Sequence, residues 1–216
     1  MMPWVDVGRG PIVIDPESVL HAAREVFIAS GRIEVGELAD AVGVNRTTLY
    51  RRWGGRDGLL GEVIWSVTEP TIDAANRRAA GTGPERIAAM MGGFAAAANQ
   101  ATYFHAFLQR EPERALRVMT TRAGGVQPRI VEKICGLIQT EVDAGRLTPL
   151  LPVGDLALIL VRITETFVYA NLITGEEPDA VKVHQACAVM LGVTPPSVVD
   201  RAGTDPGTPR RTHGNP

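Results

Sequence analysis

Apolar positions recur along the chain at helical intervals. Val35, Leu38, Ala39 and Val42 fall at i, i+3, i+4 and i+7, which gives one apolar face of a short helix. Gly43 follows directly, where a helix stops by entering the left-handed region that glycine adopts without a Cβ clash. Val44 fills the angle beyond it, and Asn45 is a good N-cap for the next helix. In that second helix Leu49 and Trp53, four apart, turn inward. Arg46 with Tyr50, and Thr47 with Arg51, pair across the outer side. The pattern predicts a helix-turn-helix whose second helix fits the DNA major groove.

The same reading along the rest of the chain predicts helices throughout. Asp15-Pro16 caps and opens a first helix that ends at Gly31. A fourth runs from about Arg56 to Thr68, with Pro70 expected to kink or restart it. Gly81-Thr82-Gly83 is a break. Pro84 then opens an alanine-rich helix to about Gln100, in whose middle Gly92-Gly93 suits a bend or a close backbone approach. Further helices are expected over Tyr103 to Arg110, Pro112 to about Thr121, Pro128 to about Ala144, Val153 to Thr174, and from Pro178 to Gly192. No strand-like alternation and no internal repeat interrupts this, so the fold class is all-α.

Charge sharpens the picture at one place. Arg46, Arg51, Arg52 and Arg56 crowd the segment from Val44 to Arg56 with no acid among them, whereas Glu17, Glu25, Glu34, Glu37 and Asp40 precede it. The formal net charge of the chain is −2. Overall acidity does not exclude DNA binding, because what matters is cations gathered on one face, where they displace counterions from phosphates. A solvated amphipathic helix with an ordinary arginine face is the plainer alternative.

Composition adds exclusions. Of the 216 residues 45% are apolar but only 5% aromatic, and no apolar run reaches the length of a membrane span. The first residues lack the cationic start and apolar core of a secretory signal. Cys135 and Cys187 sit in helical apolar contexts and are expected to be buried, reduced thiols, so a cytoplasmic location follows. His21, His105, His184 and His213 lack metal-ligand spacing with each other or with either cysteine. No phosphate loop follows a strand, and no serine sits in a nucleophile elbow. No metal, cofactor or enzymatic activity is expected.

The block from about Pro16 to Trp65 resembles the TetR family of bacterial transcriptional regulators. The resemblance lies in Val19-Leu20-His21-Ala22-Ala23-Arg24-Glu25-Val26-Phe27, in Val35-Gly36-Glu37-Leu38-Ala39 and in Gly43-Val44-Asn45. It is closest over Thr48-Leu49-Tyr50-Arg51-Arg52-Trp53-Gly54-Gly55-Arg56-Asp57-Gly58-Leu59-Leu60. Arg52 stands where the family usually has histidine, Trp53 for phenylalanine and Arg56-Asp57 for Lys-Glu; each exchange keeps the physical role. Gly55 and Glu34 replace capping hydroxyl residues, which loosens the starts of two helices.

The resemblance implies an N-terminal three-helix helix-turn-helix domain over 15–65 and a C-terminal helical ligand-binding and dimerisation domain over 66–193. A flexible arm over 1–14 and a disordered Pro-, Gly- and Arg-rich tail over 194–216 flank them. It implies backbone contacts with double-stranded DNA from Thr48 and Tyr50, and base contacts from Arg46, Thr47 and Arg51 beside the cap Asn45. Arg52 and Arg56 would bind phosphates.

It also implies a homodimer on a palindromic operator, with repression as the default and release by a small apolar or amphipathic effector. Helix 153–174 would pair with its mate, together with either 128–144 or 178–191. Candidate effector contacts are Met90, Phe94, Tyr103, Phe104, Phe107, Met119, Arg162, Thr166 and Tyr169. For the aromatics and methionines among them, ordinary core packing is the competing reading. Arg162, Glu165, Thr166 and Tyr169 form a polar stripe that orients a ligand head group or lies paired at the dimer interface, with Arg162 and Glu165 neutralising each other.

The segment from Arg162 to Asp179 looks like the C-terminal domain of the QsdR-like branch, which suggests a lactone or acyl-chain effector. The functional alternative is a helical small-molecule-binding or partner-binding protein whose DNA-binding role is vestigial.

Overall fold

The computed structural model describes residues 15–193, so the expected arm over 1–14 and tail over 194–216 lie outside the described residues. Those described are helical, with no strand among them. Three short helices come first: α1 (Pro16–Ser30), α2 (Val35–Ala41) and α3 (Arg46–Trp53). Asp15 caps α1 by accepting from the amides of Glu17 and Ser18, both at 3.1 Å. Asn45 caps α3 by accepting from the Thr47 amide at 2.8 Å. The two starts expected to be loose, at Glu34 and Gly55, have no side-chain cap. Leu38 and Leu49 lock α2 against α3 in a core shared with Val19, Ala23 and Phe27 of α1.

α4 (Arg56–Arg78) does not stop at Thr68. It runs through the exposed Pro70, while buried Val67, Ile72 and Ala75 on either side of it hold both halves in place. A single helix therefore links the N-terminal module to the larger bundle.

That bundle comprises α5 (Gly83–Gln100), α6 (Thr102–Arg110), α7 (Pro112–Thr120), α8 (Val126–Asp143), α9 (Val153–Val168), α10 (Ala170–Ile173) and α11 (Ala180–Met190). α8 starts two residues before the expected Pro128, which falls in the first turn, where the missing amide costs no helical bond. The long helix expected over 153–174 is broken at Tyr169. There β-branched and aromatic residues give a weak helical run, and the turn brings the tyrosine ring inward against Phe104, with ring centroids 6.2 Å apart. Gly92 serves the close approach suggested by its sequence: a Cβ there would lie 2.7 Å from the His184 Cβ of α11.

Ion pairs stitch α8 onto α4. Arg129 grips Glu62 with two bonds of 2.6 and 3.0 Å, and Lys133 reaches Asp73 at 2.9 Å. Both cysteines are free thiols; Cys187 is buried, and burial pushes its thiol up to about 12, whereas Cys135 is only half-buried.

Candidate nucleic-acid interface and ligand cavity

The amphipathic logic of α3 decides what it presents. Leu49 is buried and Trp53 half-buried against the module core, so Arg46, Thr47, Tyr50, Arg51 and Arg52 all face solvent, with Asn45 exposed at the tip and Thr48 half-exposed. Arg46 donates to the Tyr50 hydroxyl at 3.0 Å and lies 5.3 Å from the ring centroid. That contact pre-aligns an otherwise free guanidinium. Thr48, Arg51 and Arg52 share a hollow with Pro16 at the start of α1.

Arg56 is placed differently. Only 18% of its side chain is exposed. Its Nε donates to the Ile33 carbonyl at 2.7 Å and its Nη2 to Glu111 at 2.6 Å, with Glu34 at 3.5 Å. The exposed guanidinium cluster is therefore three residues, not four. Arg56 is committed to the contact between the module and α7. Glu34, which does not cap α2, is drawn into the same network: its hydrogen bond from Arg32, helped by Arg56, holds its carboxyl below the usual range.

Around Arg56 the module and bundle meet through a dense contact. Arg114 pairs with both Asp57 (2.8 Å) and Glu111, and Arg117 holds Asp57 at 2.7 Å. Arg110 donates to the Ser30 carbonyl at 2.7 Å. Gly31, at φ 68°, ends α1 against α6 so closely that a Cβ would sit 2.6 Å from the Tyr103 carbonyl oxygen. Phe27 of α1 meets Tyr103 and Phe107 edge-on, each at 5.6 Å.

Behind that contact lies a cavity. The space open to the centre of a water-sized sphere is about 70 Å³. Of the candidate contacts, Phe94, Tyr103, Phe104, Met119 and Tyr169 line it. Met90 and Phe107 do not; both are fully buried in the packed core. Arg162 and Thr166 face outward, because the helical phase of α9 points Thr164, Glu165 and Val168 inward instead. The polar stripe is thus divided: Glu165 and Tyr169 belong to the cavity, Arg162 and Thr166 to the surface.

The sequence reading passed over Phe27, Met91, Thr68, Thr71 and Thr164 as lining residues. The threonines had one signal, a hydroxyl on the buried face of a helix. Phe27 had none, since its role in the wall depends on α1 docking against α6. Burial raises the Glu165 pKa, opposed by hydrogen bonds from Gln127 and Arg162. The Tyr169 hydroxyl is also pushed up, by burial first and then by Glu165. Among the described residues no cluster of His, Cys, Asp and Glu is arranged to hold a metal, and no helix is long and apolar enough to cross a membrane.

Comparison with known proteins bears on both regions. Residues 19–63 match the family described as bacterial regulatory proteins, tetR family. Residues 82–192 match the family described as tetracyclin repressor-like, C-terminal domain. No curated protein matches the chain. Among solved structures, the transcriptional repressor QsdR of the TetR family from R. erythropolis is 32% identical, with a TM-score of 0.78, over 84% of this chain and 96% of that one. AlkX from Dietzia sp. strain DQ12-45-1b, a TetR family repressor implicated in biodegradation of n-alkanes, is 19% identical, with a TM-score of 0.55, over 82% and 96%. A putative transcriptional regulator from Rhodococcus sp. RHA1 is 16% identical, with a TM-score of 0.53, over 82% and 95%. The last two likenesses are of fold alone.

Proposed function

The chain belongs to the TetR family of bacterial transcriptional regulators, DNA-binding proteins and not enzymes, and on that premise we propose that it is an effector-released repressor acting as a homodimer on a palindromic operator in the cytoplasm. The observation that carries the reading is the outer face of α3. Three guanidinium groups, two hydroxyl residues and a cap amide are exposed on one rod whose opposite side is buried. On this reading Arg46, Thr47 and Arg51 contact bases, and Asn45, Thr48, Tyr50 and Arg52 the backbone; their exposure on α3 supports it. Arg56 acts through the module-bundle contact. A vestigial DNA-binding role would not need such a face kept free of acidic partners.

Dimerisation is assigned to α9 and α11. Leu158 on α9 and Val181 and Val189 on α11 are exposed large apolar residues, whereas the outer row of α8 is Glu132, Gly136, Gln139 and Asp143. The effector occupies the cavity behind Phe27, and a lactone or acyl-chain compound is the class proposed for it. Because Phe27 and the α6–α7 wall belong equally to the cavity and to the contact with the DNA-reading module, an occupant that rearranges them changes the presentation of α3.

The test is DNA binding by gel shift on operator fragments selected from genomic DNA. Arg51→Ala and Tyr50→Ala should each weaken operator binding by roughly tenfold or more while leaving the dimer intact. Arg52→Ala should weaken all sequences alike and reduce the log–log salt slope by about one per subunit. Wild-type binding by both Arg51→Ala and Tyr50→Ala would remove the assignment.

A further inference from the structure

We propose that the cavity sorts its occupants by charge, accepting a compact uncharged amphiphile and turning away the same skeleton when it ends in a carboxylate. The proposal deepens the effector-cavity reading above and rests on it.

The wall carries hydroxyls, apolar groups and one carboxylic side chain, that of Glu165. No lysine, arginine or histidine is part of it. Both oxygens of Glu165 accept: Oε1 from Gln127 Nε2 at 2.8 Å and Oε2 from Arg162 Nη1 at 3.0 Å. Two donors facing one carboxyl group fit its anion, because a neutral acid would turn an O–H toward one of them. Burial works against that charge and the Arg162 guanidinium works for it. Arg162 itself lies outside, with 54% of its side chain exposed, and is already engaged. Arg24 and Arg78 line an adjoining groove between α1, α4 and α5, which meets the cavity at Val67, Thr71, Ala97 and Tyr103 but leaves both arginines outside the cavity wall. A carboxylate seated against Glu165 would meet a negative charge in a poorly solvated space whose own wall holds no cation to pair with it.

Tyr169 supplies the complementary feature. Its residue is 95% buried, at 5% exposure, and only burial and the charge of Glu165 act on its hydroxyl, with no hydrogen bond to it among the described residues. Tyr169 lines the cavity one helical turn beyond Glu165. A hydroxyl at the cavity wall without a protein partner is a donor open to an acceptor. A carbonyl would take that proton, and an adjoining N–H or O–H would donate to Glu165. A primary amide offers both. The available space, about 70 Å³, holds roughly five to seven water-sized groups, which suits a short chain rather than a long one.

The experiment uses the full chain without DNA, so that its outcome is independent of operator binding. Thermal shift and calorimetry at neutral pH would compare straight-chain primary amides of about three to five carbons with their matching carboxylates. At least one amide should bind saturably, with its carboxylate weaker by tenfold or more. Glu165→Gln should admit the carboxylate and shrink the gap to a few-fold. Tyr169→Phe, which keeps the ring, should weaken the amide about tenfold and leave the carboxylate excluded. Carboxylates binding as tightly as amides to the native protein would overturn the proposal, as would failure of every amide to bind. A gap unchanged in a folded Glu165→Gln protein would overturn it too. If that variant does not fold, the native pair and Tyr169→Phe decide. Failed gel shifts with the charge sorting intact would instead count against the regulator reading alone.

Discussion

The outer face of α3 and the wall of the cavity are both surfaces built to meet a partner, and they are assembled in opposite ways. The first comes from eight consecutive residues on one helix. Their directions follow from 3.6-residue periodicity alone once Leu49 and Trp53 are assigned inward. The second gathers residues from α1, α4, α5, α6, α7, α8 and α9, from Phe27 to Tyr169. No local rule sets which of those side chains meets the void. A surface written in one helix is fixed by its own anchors; a surface written across seven depends on how each helix docks, and so is the part that an occupant can rearrange.

The sharpest way to break the local surface is to spoil the seat of α3 rather than its arginines. Gly58 lies in the first turn of α4, and a Cβ there would come within 1.7 Å of the Trp53 carbonyl oxygen, a backbone atom that has no way to swing aside. Gly58→Ala therefore has to displace the end of α3 from the start of α4. We expect a loss of about 3 kcal/mol, the upper end of overpacking effects, with operator binding lost as well. Chemical denaturation and gel shift on the same preparation measure both. Native stability in Gly58→Ala would mean that the α3–α4 junction is looser than its geometry.

That contrast also explains what could be read from the amino-acid string. The helix-turn-helix, its glycine turn and its Asn45 cap were legible because each depends on neighbours within a few positions. Arg56 was not, for it sits in the same arginine-rich run yet its partners Ile33 and Glu111 are 23 and 55 residues away. The bundle helices were legible as helices, but α4 runs on past Thr68 through Pro70, and α9 ends at Val168, short of Thr174. Burial carried α4 through the proline, and packing against Phe104 accompanies a break where the apolar pattern ran on. In the cavity, Phe94 and Met90 looked alike in sequence, four apart on one helix. Only the positions of their neighbours leave one at the void and the other inside solid core.

A second perturbation tests whether the two surfaces are joined where Arg56 meets Glu111. Both side chains are more than four-fifths buried and both are fully engaged. Glu111→Gln keeps the shape and removes the charge that holds Arg56 and Arg114. A cost of about 1–2 kcal/mol is expected, since the pair is only partly shielded from water. The more informative readout is coupling. An effector that occupies the cavity should bind the variant with nearly native affinity yet change its operator affinity several-fold less. Equal responses in Glu111→Gln and native protein would place the connection elsewhere, in the Phe27–Tyr103–Phe107 aromatic contact.

The smallest effect should come from Asn45, and it separates a structural role from a recognition role. Its side chain caps α3 through the Thr47 amide while its position at the exposed tip also faces DNA. Asn45→Ala removes both functions, and loss of the cap costs about 1 kcal/mol. Asn45→Ser and Asn45→Asp keep a capping oxygen and should recover most of that stability. They diverge on DNA: aspartate adds a negative charge beside the phosphates and should bind the operator more weakly than serine, increasingly so as salt is lowered. If alanine, serine and aspartate bound DNA in proportion to their stabilities alone, Asn45 would be a cap and nothing more, and the DNA-reading surface would begin at Arg46.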